Sequence, residues 1–251
     1  MDRSVQACTG WTEWSSPAVH RAISAEPRTD RGRQSRDRIV AVADALVAER
    51  GVEGASLGQI LEAADASKSQ LYHYFSGKDD LVRAVIARRR GQVLETDMPL
   101  LSTLDSWSAI RRWFGMAVQR MEAQGFRVGC PIGSLANELA DRDEEARRDL
   151  VECFETWRGY LVEGLERMRA RGELVERSDP NELATAVFAC LQGGLLLAKT
   201  RKESGPLWIA LDAALTYLRS FAPDRPERSE SSNPRPGPRR AATQEDLVRD
   251  R

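Results

Sequence analysis

At 251 residues the chain has room for one or two domains. An apolar share of 41% beside a charged share of 30% excludes a chain too polar to build a core. A formal net charge of −1 excludes nucleic-acid binding by bulk positive charge, so any such site must be a local patch.

Residues 1–34 are rich in Ser, Thr, Arg and Pro without a helical period, and read as a disordered N-terminal arm. The first helix is predicted over 35–50, where Ile39, Val42, Ala43, Leu46 and Val47 repeat at intervals of three and four. Gly51 is its stop. A second helix starts at Ser56, with Leu57, Ile60, Leu61 and Ala64 inward. A short third starts at Ser67 and ends near Tyr74, and a fourth follows Ser76 and runs to about Glu95. Longer helices are predicted at 106–124, 132–140, 144–171, 180–202 and 207–221. Residues 222–251, with Pro223, Pro226, Pro234, Pro236 and Pro238 among charges and serines, read as a disordered tail. The expected fold is therefore all-α over about 35–221, since alternating β-branched runs are absent.

The starts of helices two and three are marked by capping boxes, Ser56-Leu57-Gly58-Gln59 and Ser67-Lys68-Ser69-Gln70. Two short helices joined by the turn Ala64-Asp65-Ala66 make a helix-turn-helix at about 56–75, whose second helix fits a DNA major groove. Lys68, Ser69 and Gln70 occupy the first turn, the end that reaches base edges, and Gln pairs with adenine through two hydrogen bonds. Tyr72 and His73 suit phosphates or sugars, and Lys78 with the fourth helix's N-terminus suits another phosphate. Ser56 and Ser67 complete the expected DNA-binding set. The bland alternative for Tyr72, His73 and Tyr74 is an aromatic core face, but Leu71 and Phe75 already supply the inward stripe. Basic residues also gather at 28–38 and 83–90, flanking this segment; they are either part of the DNA patch or ordinary solvated faces.

Taken together, Ser56, Leu57, Ile60 and the run from Ala64 through Leu71-Tyr72-His73-Tyr74-Phe75-Ser76-Gly77-Lys78 to Leu81 resemble the DNA-binding domain of TetR/AcrR regulators. The resemblance is strong over residues 35–95. It implies that Leu71 and Phe75 pack the core, that Tyr72 and Lys78 hold the DNA backbone, and that residues 96–221 form a helical ligand-binding and dimerisation domain. The family's usual turn Gly is Asp65 here, its usual Val is Ala66, and its common Gly after the Lys is Ser69. Asp tolerates the left-handed backbone that such a turn needs. A shorter stretch at 129–138 resembles the LmrA/YxaF-like branch, which implies a small apolar or aromatic inducer. Candidate pocket residues are Trp113, Phe114, Phe126, Cys130, Phe154 and Trp157, although most Trp and Phe residues at such spacing are plain core.

The eighth helix is apolar nearly all round, so every side of it needs cover. Leu183, Val187, Leu191 and Leu195, with Leu211, Leu215 and Leu218 of the last helix, are the expected homodimer face, the alternative being a single internal helix. Gly193-Gly194 is either a close approach for a ligand or a packing notch. A homodimer would read a palindromic operator as a repressor relieved by its inducer.

Two rivals follow. An enzyme is disfavoured because the two histidines are His20, in the arm, and His73, in the reading helix; no metal or cofactor spacing appears either. A redox sensor on the same scaffold would work through Cys130 or Cys153. The four cysteines (with Cys8 and Cys190) are scattered without a CxxC pair, which fits a reducing cytoplasm. No segment approaches the roughly 18–20 apolar residues of a membrane span, and no signal sequence is seen, so no membrane partner is expected.

Overall fold

The structure, a computed structural model, describes Pro27 and residues 29–223; the remainder of the expected arm, the tail beyond Pro223, Cys8 and His20 lie outside the described residues. Those residues form nine helices and no strands. They are α1 Asp30–Gly54, α2 Leu57–Ala63, α3 Lys68–Tyr74, α4 Lys78–Leu101, α5 Trp107–Ala123, α6 Pro131–Leu139, α7 Glu144–Ala170, α8 Pro180–Arg201 and α9 Gly205–Arg219.

Local chemistry sets most of the ends. Both capping boxes form in full at α2 and α3. The hydroxyl of Ser106 caps α5, and carboxylates of Asp143 and Asp179 cap α7 and α8. Glu144 and Glu145 stand in the first turn of α7, and Arg167 and Arg169 in its last, each matching the helix dipole. The helical run of α1 breaks at Gly51, which takes φ 72°, where the sequence places the stop.

Two boundaries differ from expectation. α1 begins at Asp30, not at residue 35, because the Thr29 side chain accepts from the Gly32 amide and Asp30 favours the helix start. The end of the expected arm is thus helical. α4 runs past Glu95 to Leu101 with Pro99 inside it. Pro99 lies in the last turn, where it removes one bond of the helix, and the longer helix carries Asp97 inward to Arg120 of α5. α4 therefore crosses the expected boundary at residue 95 as one rod.

One core runs through both halves. In the N-terminal half Ile39, Val40 and Ala43 of α1 meet Ile60, Leu71, Phe75, Leu81 and Val85. In the C-terminal half α8 packs between α7 and α9. α8 has the length and composition of a membrane span, which corrects the sequence expectation that no segment approaches one; here its buried side is core. Gly194 is a packing notch: a Cβ there would stand 2.8 Å from Leu207 Cδ1 and 3.0 Å from Ala210 Cβ of α9. Gly193, one residue earlier, faces open space.

The seven residues expected at a dimer face are all inside the subunit. Leu183, Val187, Leu191, Leu195, Leu211, Leu215 and Leu218 are buried in this single chain. They repeat at intervals of three and four on the side of α8 and α9 that turns to the core. The opposite side exposes Leu196, Leu197, Trp208, Ile209 and Tyr217, with Ile209 73% accessible.

Gly194→Val should lower stability by about 1–3 kcal/mol through overpacking against α9. Gly159→Ala, at a position where nothing lies within 4 Å, should leave the melting temperature unchanged or raise it. Thermal melts of the two variants check this; a Gly194→Val protein as stable as the parent would show that α8 and α9 do not meet there.

Candidate nucleic-acid interface

The turn between α2 and α3 is short and internally bonded. Asp65 takes the left-handed backbone at φ 46°, and the Ala66 amide donates to the Leu61 carbonyl at 3.0 Å. Leu71 and Phe75 are buried, so α3 sits on the core by one side. Its other side presents Lys68, Ser69, Gln70, Tyr72 and His73 to solvent, Tyr72 being 59% exposed. Tyr72 thus keeps more than half of its surface outside the core. His73 lies in the last turn of α3, where a positive charge suits the dipole. Lys78 opens α4 half-buried; the N-cap of α4 is Gly77, with no side-chain cap.

Hydrogen bonds redistribute the work among these residues. The Ser56 hydroxyl accepts from the Gln59 amide at 3.3 Å and donates to Gln59 Oε1 at 3.1 Å, so it is committed to its cap. The Ser67 hydroxyl accepts from the Gln70 amide at 3.1 Å but keeps its own proton. Gln70 Oε1 accepts the Ser67 amide at 2.8 Å. Two-bond adenine recognition needs that same oxygen. In this arrangement one lone pair of Gln70 Oε1 is committed to the box, and its second lone pair and its NH2 are left to offer a base.

The two basic runs are not equivalent. In the first, Arg36 lies over the Phe75 ring at 5.3 Å and Arg38 reaches the Asp65 carbonyl at 3.5 Å, both on the helix-turn-helix. The second is consumed by carboxylates. Arg83 pairs with Asp80 at 3.5 Å and with Glu145, and Arg88 with Asp44 at 3.5 Å. Arg90 pairs with Glu152 at 2.7 Å. Arg89, 95% buried by its 5% exposure, donates to Asp44 Oδ1 at 2.6 Å and to the Pro131 carbonyl at 2.9 Å. This run joins α4 to α1, α6 and α7.

A cavity of about 80 Å³ lies among α4, α5, α6, α7 and α8. Of the six candidate pocket residues, Trp113, Cys130 and Trp157 line it and Phe114, Phe126 and Phe154 do not. Phe114 is buried against Trp113, and Phe154 packs edge-on against Phe188. Phe126 takes a left-handed turn conformation at φ 56° after α5. Leu191 and Leu195, expected at a dimer face, line the cavity instead. Sequence reasoning missed its polar wall, the Asp97–Arg120 pair, because a lone Asp near a Pro carries no local signal. The Trp157 indole N–H is buried without a partner. A larger depression of about 440 Å³ beside Trp107, Arg111 and Arg112 is open surface. Burial pushes the Cys130 thiol up, and pushes Cys153 up to about 11. Neither is a ready thiolate near neutral pH.

Comparison with known proteins places these parts. The family model for bacterial regulatory proteins of the tetR family matches residues 39–85. The C-terminal domain model of the LmrA/YxaF-like transcriptional regulators matches residues 106–213. The transcriptional regulator AcuR of Cereibacter sphaeroides is 31% identical over 166 residues, covering 63% of this chain and 74% of that protein. The transcriptional repressor NemR of Escherichia coli is 25% identical, covering 70% of this chain and 90% of that protein. The crystal structure of a TetR regulatory protein from Rhodobacter sphaeroides matches with a TM-score of 0.63 at 27% identity, covering 73% of this chain and 98% of that one. With a helix-turn-helix in the family's place, the family's all-α fold and a matching C-terminal domain, the chain belongs to the TetR family of bacterial transcriptional regulators.

Proposed function

We propose that the chain is a repressor, not an enzyme, that works in the bacterial cytoplasm as a homodimer on a two-fold symmetric operator and is released by a small inducer. The observation that carries the DNA part is the outward face of α3. Lys68, Ser69, Gln70, Tyr72 and His73 stand in solvent while Leu71 and Phe75 hold the helix on the core. Lys78 adds a phosphate contact beside the uncapped N-terminus of α4. Ser56 and Ser67 serve chiefly as caps, with the Ser67 hydroxyl proton left for a phosphate.

The homodimer reading rests on α8 and α9. Leu196, Leu197, Trp208, Ile209 and Tyr217 form an exposed apolar face on two packed helices, the kind of face that a second copy covers about a two-fold axis. Two reading helices so paired would double the few base contacts that one makes.

The inducer site in this reading is the cavity among α4–α8. Its aromatic and aliphatic lining suits a small apolar or aromatic molecule. The unpartnered Trp157 N–H favours one that carries a hydrogen-bond acceptor. Release requires that the inducer bind the form that fits DNA poorly more tightly than the form that fits it. The redox alternative is less favoured, since both candidate thiols are buried and held protonated.

Three measurements test this reading. A duplex selected from random sequence by the protein should be bound in a gel shift, and absence of any selected sequence with folded protein would sink it. Lys78→Ala should weaken binding to all sequences and reduce the salt slope by roughly one phosphate's worth. Gln70→Ala should instead relax preference at one base position. Ile209→Glu should convert a dimer to a monomer in sedimentation; an unchanged dimer would move the interface elsewhere. Iodoacetamide at pH 7.5 should label Cys190, which is half-exposed, before Cys130 and Cys153. Rapid labelling of Cys130 would favour the thiol sensor.

A further inference from the structure

The break in α1 is closed from the other half of the chain. At Gly51 the backbone swings to φ 72° and ψ 173°, so the helix stops and the following amide loses its usual acceptor within the turn. That amide, of buried Val52, donates to Glu138 Oε2 at 2.6 Å, from a residue 86 positions away on α6. A carboxylate accepting a backbone N–H in a partly buried place is among the stronger neutral-to-charged hydrogen bonds. The same carboxylate lies over the glycine: a Cβ on Gly51 would be 2.9 Å from Glu138 Oε2 and 3.3 Å from Oε1. A second tie, more exposed, runs from Arg142 just past α6 to Glu53 at 3.0 Å.

The other end of α6 meets the cavity. Cys130 and Pro131 line it, and the Pro131 carbonyl accepts from buried Arg89. Between these ends α6 is a nine-residue helix held on the core by Ile132, Leu135 and Leu139. Nine residues at 1.5 Å each span about 13 Å, a rod too short to bend. The residue that its far end holds, Val52, lies four residues before Ser56, the cap from which the helix-turn-helix starts.

We infer that Glu138 is a positioning residue for DNA binding: it fixes the break in α1 to α6, and so sets the angle at which each reader is held relative to the rest of its subunit. A shift of α6 at the cavity then moves the reader directly through α1, in addition to any movement of α4. This rests on the two-fold repressor reading above. A role confined to holding the fold together would make a different prediction, because it would damage each reader by itself.

The test compares two duplexes: the symmetric sequence that the wild-type protein selects from a random library, and a duplex that holds one half of it. Glu138→Ala should weaken binding to the symmetric duplex by about tenfold, the size expected for one lost charge-assisted hydrogen bond. Its binding to the single half should change by less than about twofold, because each reader is intact. Glu138→Gln, which keeps an acceptor, should restore most of the loss and serves if the alanine variant fails to fold. Equal weakening on both duplexes, or on neither, would overturn the inference. If the wild type selects no symmetric sequence, the repressor reading falls separately. The positioning contact is then judged by hydrogen exchange at the Val52 amide. Exchange about tenfold faster in Glu138→Ala supports it, and unchanged exchange overturns it.

Discussion

Arg89 is the constraint on which the rest of this structure depends. A guanidinium is expensive to bury, and it is kept there only when its protons are answered. Asp44 of α1 answers with a carboxylate oxygen at 2.6 Å and its own carbonyl at 3.4 Å, and Pro131 at the start of α6 answers with a carbonyl at 2.9 Å. Three helices from two halves of the chain thus meet at one charge. Removing one partner of such a set costs about 3–5 kcal/mol in comparable sites, because it leaves a buried charge unanswered, so the three groups must stay together.

That junction gives the molecule its division of labour. The helix-turn-helix is small, made of a seven-residue α2 and a seven-residue α3, and its own core cannot fix how it sits on the larger half. α4 carries it as a continuous rod, while α6 ties back to α1 at both ends, through Arg89 and through Glu138. The cavity lies between α4 and α6, the two supports of the reader. Charge in the run 83–90 serves this junction. The positive surface for DNA is correspondingly sparse, which is consistent with a chain whose net charge is −1.

Features encoded locally were legible in the sequence. The serines and glutamines of the two capping boxes, the stop at Gly51, the left-handed Asp65 and the inward Leu71 and Phe75 are each specified within a few residues. Features that depend on distant partners were not. α8 is apolar on both sides, so its sequence does not say which side meets the core, and Leu183, Val187, Leu191 and Leu195 proved to be the inner one. The helical pattern fades near Glu95, yet α4 continues to Leu101 and its added turns hold Asp97 against Arg120. Gln70 carries both a capping and a base-reading signature, and only the geometry shows that its oxygen is engaged in the cap. Glu138 closes the stretch 129–138, but nothing local in it points to an amide 86 residues away.

The most direct measurement of this account is hydrogen exchange, followed by mass spectrometry, on the native protein and on Arg89→Met. If Arg89 is the shared anchor, protection should fall together in α1 around Asp44 and in α6 at Pro131–Leu139, with the C-terminal helices α8 and α9 left as slow as before. Protection lost in one of the two helices alone, or in neither, would contradict the claim that one buried charge joins the reader to the larger half.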